Sequence, residues 1–186
     1  KSTDMKHLSV LALSLLAPVA AWSAVAVAAP PALDNTAYVL MDFDSGRILS
    51  ERNAQQPLPP ASLTKMMTSY LVEQALKSGR LKPDDQVRVS ENAWCRGTSA
   101  ESCMYLPLNG SASVLDMLRG IIIQSGNDAS KAVAEHLAGT EASFAGLMNA
   151  EAAKLGMKNS HFANATGLPD PTHKASAQDL AILARA

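Results

Sequence analysis

Behind Pro59-Pro60-Ala61 the apolar residues Leu63, Met66, Met67, Tyr70, Leu71 and Leu76 recur at helical spacing, and Gly79 closes the run. The stretch from Ser62 to Lys77 is therefore expected to be a helix with a buried face, against which the rest of the chain must pack. Its methionines read as core fillers. Its first turn carries Ser62-Leu63-Thr64-Lys65. Residues three apart lie on one face of a helix, so the Ser62 hydroxyl and the Lys65 amine meet without long-range help. A serine becomes a nucleophile when a base takes its proton, and this spacing supplies one. The unpaired amides and dipole at the helix N-terminus favour negative charge developing near Ser62. Chance alone places roughly one Ser/Lys pair at this spacing in a chain of this length, so context must carry the assignment.

The chain has 186 residues, 47% of them hydrophobic, and a net charge of -1. That suffices for one domain with a sizeable core, and the near-neutral balance argues against nucleic-acid binding. Few aromatics and abundant alanine favour close-packed helices over a β-sandwich, so the expected class is a helix-rich α/β domain. Met5-Lys6-His7 precedes an apolar run from Leu8 to Ala29, interrupted by Pro18 and ending in alanines. Residues 1–28 are read as an export signal cleaved near Ala29, with Lys1 to Asp4 as extra leader; the competing reading is an uncleaved anchor. Cys95 and Cys103 are the only cysteines, and either close a short loop or stay as two half-buried thiols.

Ala37 to Phe43, Asp44-Ser45-Gly46 and Arg47 to Glu51 read as strand, tight turn, strand. Turn chemistry explains Asp42 and Asp44, and no metal site is expected. Asp84 to Gly110 reads as polar and extended. A second helix runs from Ser113 to Gln124, stops at Ser125-Gly126-Asn127, and gives way to a third that begins at Asn127 or Asp128 and ends at Gly139. By itself that turn needs only small capping residues. Thr140 caps a fourth helix ended by Gly156, and Ser176 with Asp179 forms a capping-box pattern for the last. His136, His161 and His173 have no telling neighbours and read as structural. Without repeats or long linkers, residues 29–186 form one domain.

Taken in order, Pro-Ala-Ser62-Leu-Thr-Lys65 at one helix start and Arg119 to Asn127 between two others resemble the low-molecular-mass penicillin-binding proteins, specifically the D-alanyl-D-alanine carboxypeptidases. The resemblance spans Asp34 to Ala186, including Leu155-Gly156-Met157 and Asn164-Ala165-Thr166-Gly167-Leu168. It implies a serine β-lactamase/transpeptidase-like α+β fold, a helical cluster packed on an antiparallel sheet of which these residues hold the N-terminal hairpin. It also implies acyl transfer, with Ser62 as nucleophile, Lys65 as its base, Ser125 as proton relay to the leaving D-alanine, and Asn127 as substrate-binding residue. The implied partners are peptidoglycan stem peptides ending in D-Ala-D-Ala and β-lactams as covalent inhibitors, with no cofactor, no metal and a periplasmic location.

One departure is serious. The family's Lys-Thr-Gly motif does not follow Asn127; Lys77-Ser78-Gly79 matches in letters only and reads as a helix end. Residues 29–186 are accordingly expected to be the N-terminal part of a catalytic domain. Sheet edges should be unpaired, activity should be low in isolation, and any C-terminal membrane-associating region should lie elsewhere. The Cys95 to Cys103 stretch, with Glu101 and Tyr105, also differs from the family. Alternatives are a D-Ala-endopeptidase, a serine β-lactamase, for which the loop from His161 to His173 offers no glutamate as deacylating base, and a non-catalytic peptidoglycan-binding module.

Overall fold

A computed structural model of the chain describes residues 32, 34–96 and 101–186. The expected export signal at 1–28 lies outside these residues. Strands β1 (Tyr38–Met41) and β2 (Ile48–Arg52) pair antiparallel, Tyr38 opposite Arg52, with a register shift between Leu40 and Met41. The turn between them is closed by Asp42, whose carboxylate accepts from the Ser45 amide at 2.9 Å while its own amide donates to the Arg47 carbonyl. Helix α1 (Lys65–Lys77) follows a short 3-10 turn, Ala61–Thr64. Strands β3 (Gln86–Arg88) and β4 (Ser111–Ser113) form a second antiparallel pair, then come α2 (Val114–Gln124), α3 (Asn127–Ala138), α4 (Glu141–Leu155) and α5 (Ala177–Arg185).

The helix boundaries follow from their caps. The hydroxyls of Ser113, Thr140 and Ser176 each accept the amide three residues on, satisfying one orphan donor of α2, α4 and α5. The expected capping box at α5 is only half made. Asp179 does not reach back; its Oδ2 accepts from the Asn159 amide and Ser160 Oγ, both at 2.7 Å, and so ties the preceding loop to the helix. Arg185 at the other end of α5 donates to the carbonyls of Phe43 and Asp44, which fastens the helical layer to the first hairpin.

Helix α1 lies between two apolar clusters. Val72 and Ala75 pack with Val87, Val89, Met117, Ile121 and Val133 on one side, while Met67 and Leu71 pack with Phe144, Met148, Phe162 and Leu183 on the other. Burial on two sides explains why Val72 and Ala75, outside the expected stripe, are fully enclosed. Leu63, counted in that stripe, is instead 53% exposed, because it belongs to the 3-10 turn rather than to the α-helix. The extended reading of Asp84 to Gly110 omitted β3, whose three residues are too few for alternation to register. Leu40, Phe43 and Leu49 on the first hairpin are exposed, and each two-stranded sheet leaves its outer edges without a strand partner among the described residues. Cys95 and Cys103 form a disulfide, their Cα atoms 6.2 Å apart, so the bridged alternative holds. No described helix is long and apolar enough to cross a membrane.

Candidate active site

The serine and lysine sit where α1 begins, but the backbone there is not α-helical. Ala61 has φ +47, and the Leu63 amide donates to the Pro60 carbonyl, winding Ala61–Thr64 into one 3-10 turn before α1 starts at Lys65. Three residues complete a 3-10 turn, so positions i and i+3 eclipse more closely than in an α-helix. Lys65 Nζ lies 3.4 Å from Ser62 Oγ. The pairing expected from sequence is therefore present, reached through a tighter turn.

Lys65 is only 5% exposed although it carries an ammonium. Its Nζ donates to the Thr166 carbonyl at 2.8 Å, and the Thr68 hydroxyl donates to the neighbouring Ala165 carbonyl at 2.8 Å. Two successive carbonyls of the loop after α4 are thus docked on the first turns of α1. Burial pushes the lysine down from its ordinary 10.5 to about 8, against the pull of the Glu101 carboxylate, which favours the charged form. The loop is shaped by Asn164 Oδ1, which accepts from the Thr166 amide, the Thr166 hydroxyl and the Gly167 amide. His173 fastens it from the other side. Its Nδ1 accepts from the Ala163 amide at 3.2 Å, which leaves Nε2 to donate to Thr64 Oγ1 at 2.8 Å, a structural role in keeping with the sequence reading.

Ser125 comes to the same place from the opposite wall. With Ser62, Lys65, Met66, Ser69, Ile121 and Ile122 it lines a cavity of about 280 Å³. It terminates α2 in the left-handed region, φ +54, where glycine is the usual occupant; Gly126 beside it is extended. Such strain in a non-glycine residue recurs at functional sites. The Ser125 hydroxyl is buried and has no hydrogen-bond partner among the described residues, a costly state that a bound molecule entering the cavity can relieve. Asn127 is also buried, but its side-chain amide donates to Glu101 Oε2 at 3.3 Å rather than to Lys65. The structure thus unites Ser62, Lys65 and Ser125 in one cavity, whose lining does not include Asn127. Sequence reasoning did not find Thr166 or Glu101 as neighbours of this site. A backbone carbonyl carries no residue-type signal, and Glu101 arrives from a loop whose approach to α3 is purely tertiary.

A buried lysine poised near neutrality beside a serine, with an unsatisfied hydroxyl across the cavity, can accept the serine proton and hand one on to a leaving group. That is the chemical outfit of a serine acyl-transfer enzyme. Residues 24–186 match the family described as D-alanyl-D-alanine carboxypeptidase, and the chain belongs to that family. It is 46% identical over 177 residues to D-alanyl-D-alanine carboxypeptidase DacC of Escherichia coli K12, covering 94% of this chain and 44% of that protein. Penicillin-binding protein 5 of Haemophilus influenzae superposes with a TM-score of 0.81 at 46% identity, over 84% of this chain and 46% of the other. Penicillin-binding protein D2 of Listeria monocytogenes, solved in its ampicillin-bound form, superposes with a TM-score of 0.70 at 28% identity, over 81% and 60%. The fold is therefore of the expected α+β type, shared with these penicillin-binding proteins. The chain spans less than half the length of the DacC relative it matches.

Proposed function

We propose that the protein is a serine-type D-Ala-D-Ala carboxypeptidase, which removes the terminal D-alanine from peptidoglycan stem peptides through an acyl-enzyme on Ser62. The observation that carries this reading is the buried Lys65 amine, held to about 8 and 3.4 Å from the Ser62 hydroxyl. Neutral Lys65 takes the Ser62 proton as Oγ attacks the carbonyl carbon of the penultimate D-alanine. The Ser62 amide contributes one donor to the developing oxyanion. Collapse of the intermediate breaks the peptide bond, and Ser125, whose hydroxyl has no other partner among the described residues, passes its proton to the departing D-alanine nitrogen and regains one from protonated Lys65. Asn127 serves the substrate amide. Water then hydrolyses the ester and restores Ser62. A β-lactam enters the same step and remains as an acyl adduct. A peptidoglycan substrate calls for a protein that acts outside the cytoplasmic membrane, and the apolar run from Leu8 to Ala29 supports export.

The lysine sets the pH dependence. At pH 7 roughly a tenth of a group titrating near 8 is neutral, so the initial rate of Ser62 acylation should climb as pH passes from 7 through about 8 and level above it. A rate flat across that interval would show that Lys65 is not the base.

Residues 1–186 contain no Lys-Thr-Gly after Asn127, the family's anchor for the substrate carboxylate, so turnover by these residues alone should be slow. The test is prolonged incubation with a peptide ending in D-Ala-D-Ala, with products separated by chromatography. Free D-alanine and the shortened peptide should appear in equal amounts and disappear in Ser62→Ala. Cleavage of a cross-linked dimer in preference to D-alanine release would assign an endopeptidase instead. Rapid hydrolysis of benzylpenicillin would assign a β-lactamase, and neither product with unmodified Ser62 a binding module.

A further inference from the structure

The segment 101–106 approaches the site from outside the helical core and is pinned to the α2–α3 turn at several points. Its Ser102 carbonyl accepts from the Asn127 amide at 2.8 Å, and Ser102 Oγ donates to the Gln124 carbonyl at 2.6 Å. The Met104 and Leu106 amides donate to the two carboxylate oxygens of Asp128 at 2.8 and 3.0 Å. The Cys95–Cys103 disulfide ties the middle of this segment to the end of the preceding loop. So anchored, the segment directs Glu101 inward, where Oε2 meets Asn127 Nδ2 at 3.3 Å and Lys131 Nζ at 3.8 Å.

We propose that Glu101 is a positioning residue of this acyl-transfer site, which orients the Asn127 amide by hydrogen bonding. The inference rests on the carboxypeptidase reading and adds to it a residue from the segment pinned to the α2–α3 turn. By accepting from Nδ2, Glu101 leaves Asn127 Oδ1 to receive a donor from Lys65 or from a substrate N–H. Its carboxylate also opposes the burial that drives Lys65 towards neutrality.

The other groups around Lys65 leave this role to Glu101. Helix α2 presents Ile121, Ile122 and Ser125, none of which titrates. The loop after α4 presents the Thr166 carbonyl, and the Glu141 carboxylate behind it accepts from the Ala165 amide. His173 reaches the region only through Thr64, and burial pushes its imidazole down from the ordinary histidine value. On α3, Asp128 is engaged by three backbone amides, and Lys131 faces Glu101 itself, where it moderates but does not cancel the negative charge. Glu101 therefore moves the working range of the base upwards in pH, in exchange for a fixed Asn127.

The test is an NMR titration of lysine 13Cε in the 186-residue chain and in Glu101→Gln and Glu101→Ala, with circular dichroism to confirm folding. Glutamine keeps an acceptor for Asn127 and removes the charge; alanine removes both. The Lys65 midpoint should fall below about 8 in both variants. Acylation of Ser62 by benzylpenicillin at pH 7 should become faster in Glu101→Gln and lose that gain in Glu101→Ala. Equal acylation rates in folded Glu101→Gln and Glu101→Ala overturn the proposal, because the two differ in whether Asn127 keeps its acceptor. A lowered midpoint with no Ser62 acylation in any of the three proteins supports the placement of Glu101 and contradicts the carboxypeptidase reading.

Discussion

Lys65→Met is expected to slow Ser62 acylation by roughly 10²- to 10⁴-fold, the usual worth of a positioned general base, while making the folded protein more stable near neutral pH. The two effects share one cause. Lys65 is buried, and its folded-state value of about 8 lies below the ordinary 10.5, so the fold disfavours the charged form. The penalty is fully present below about pH 8, where the folded lysine must carry its proton. It fades between about 8 and 10.5, where the folded lysine has lost its proton and the unfolded one has not yet done so. Relieving it is worth on the order of 2 kcal/mol after allowance for screening. Loss of the bond to the Thr166 carbonyl returns about 1 kcal/mol of that. Urea titrations at pH 7 and pH 10.5 should therefore show a gain for the variant at the lower pH that disappears at the higher one. A variant less stable at pH 7 would mean that Lys65 is a structural cation and not a base held under strain.

Gly167→Ala should cost at least about 3 kcal/mol and remove acylation with it. Gly167 has φ +86, and a Cβ there would overlap the carbonyl of Ala61 and come 2.9 Å from Thr64 Oγ1. Those atoms belong to the 3-10 turn that holds Ser62, so the neighbour that must give way is the backbone of the nucleophile's own turn. The loop cannot retreat freely either, since Thr166 and Ala165 are bonded to Lys65 and Thr68. Thermal unfolding checks the first consequence. Labelling with a fluorescent penicillin at a temperature where the variant is still folded checks the second. A variant as stable and as reactive as the parent would show that the loop does not press on the Ser62 turn.

The parts of the fold legible in the sequence are those with local causes. Asp44-Ser45-Gly46 between two β-rich runs identifies the first hairpin, and Ser113, Thr140 and Ser176 mark helix starts because capping is a contact made three residues away. The Ser62/Lys65 pair was legible for the same reason. What escaped depended on partners distant in the chain. Val72 and Ala75 are buried because a second cluster covers that side of α1, and β3 is a strand because β4 lies beside it. The left-handed backbone falls on Ser125 although Gly126 is the better-suited residue next to it. Strain of that kind is a choice made by the packing of α2 against α3, and propensity points the other way. Asn127 was assigned by resemblance, but which groups it faces became clear only with segment 101–106 in place.

The central claim is that Ser62, activated by Lys65, is the nucleophile. Its most direct test is peptide mapping by mass spectrometry after prolonged exposure of the chain to benzylpenicillin, at pH 7 and pH 9, alongside Ser62→Ala. One penicilloyl group per chain is predicted, carried by Ser62, accumulating slowly but faster at pH 9, and absent from the variant. No adduct, an adduct on Ser125 or another residue, or equal modification of Ser62→Ala would contradict the account.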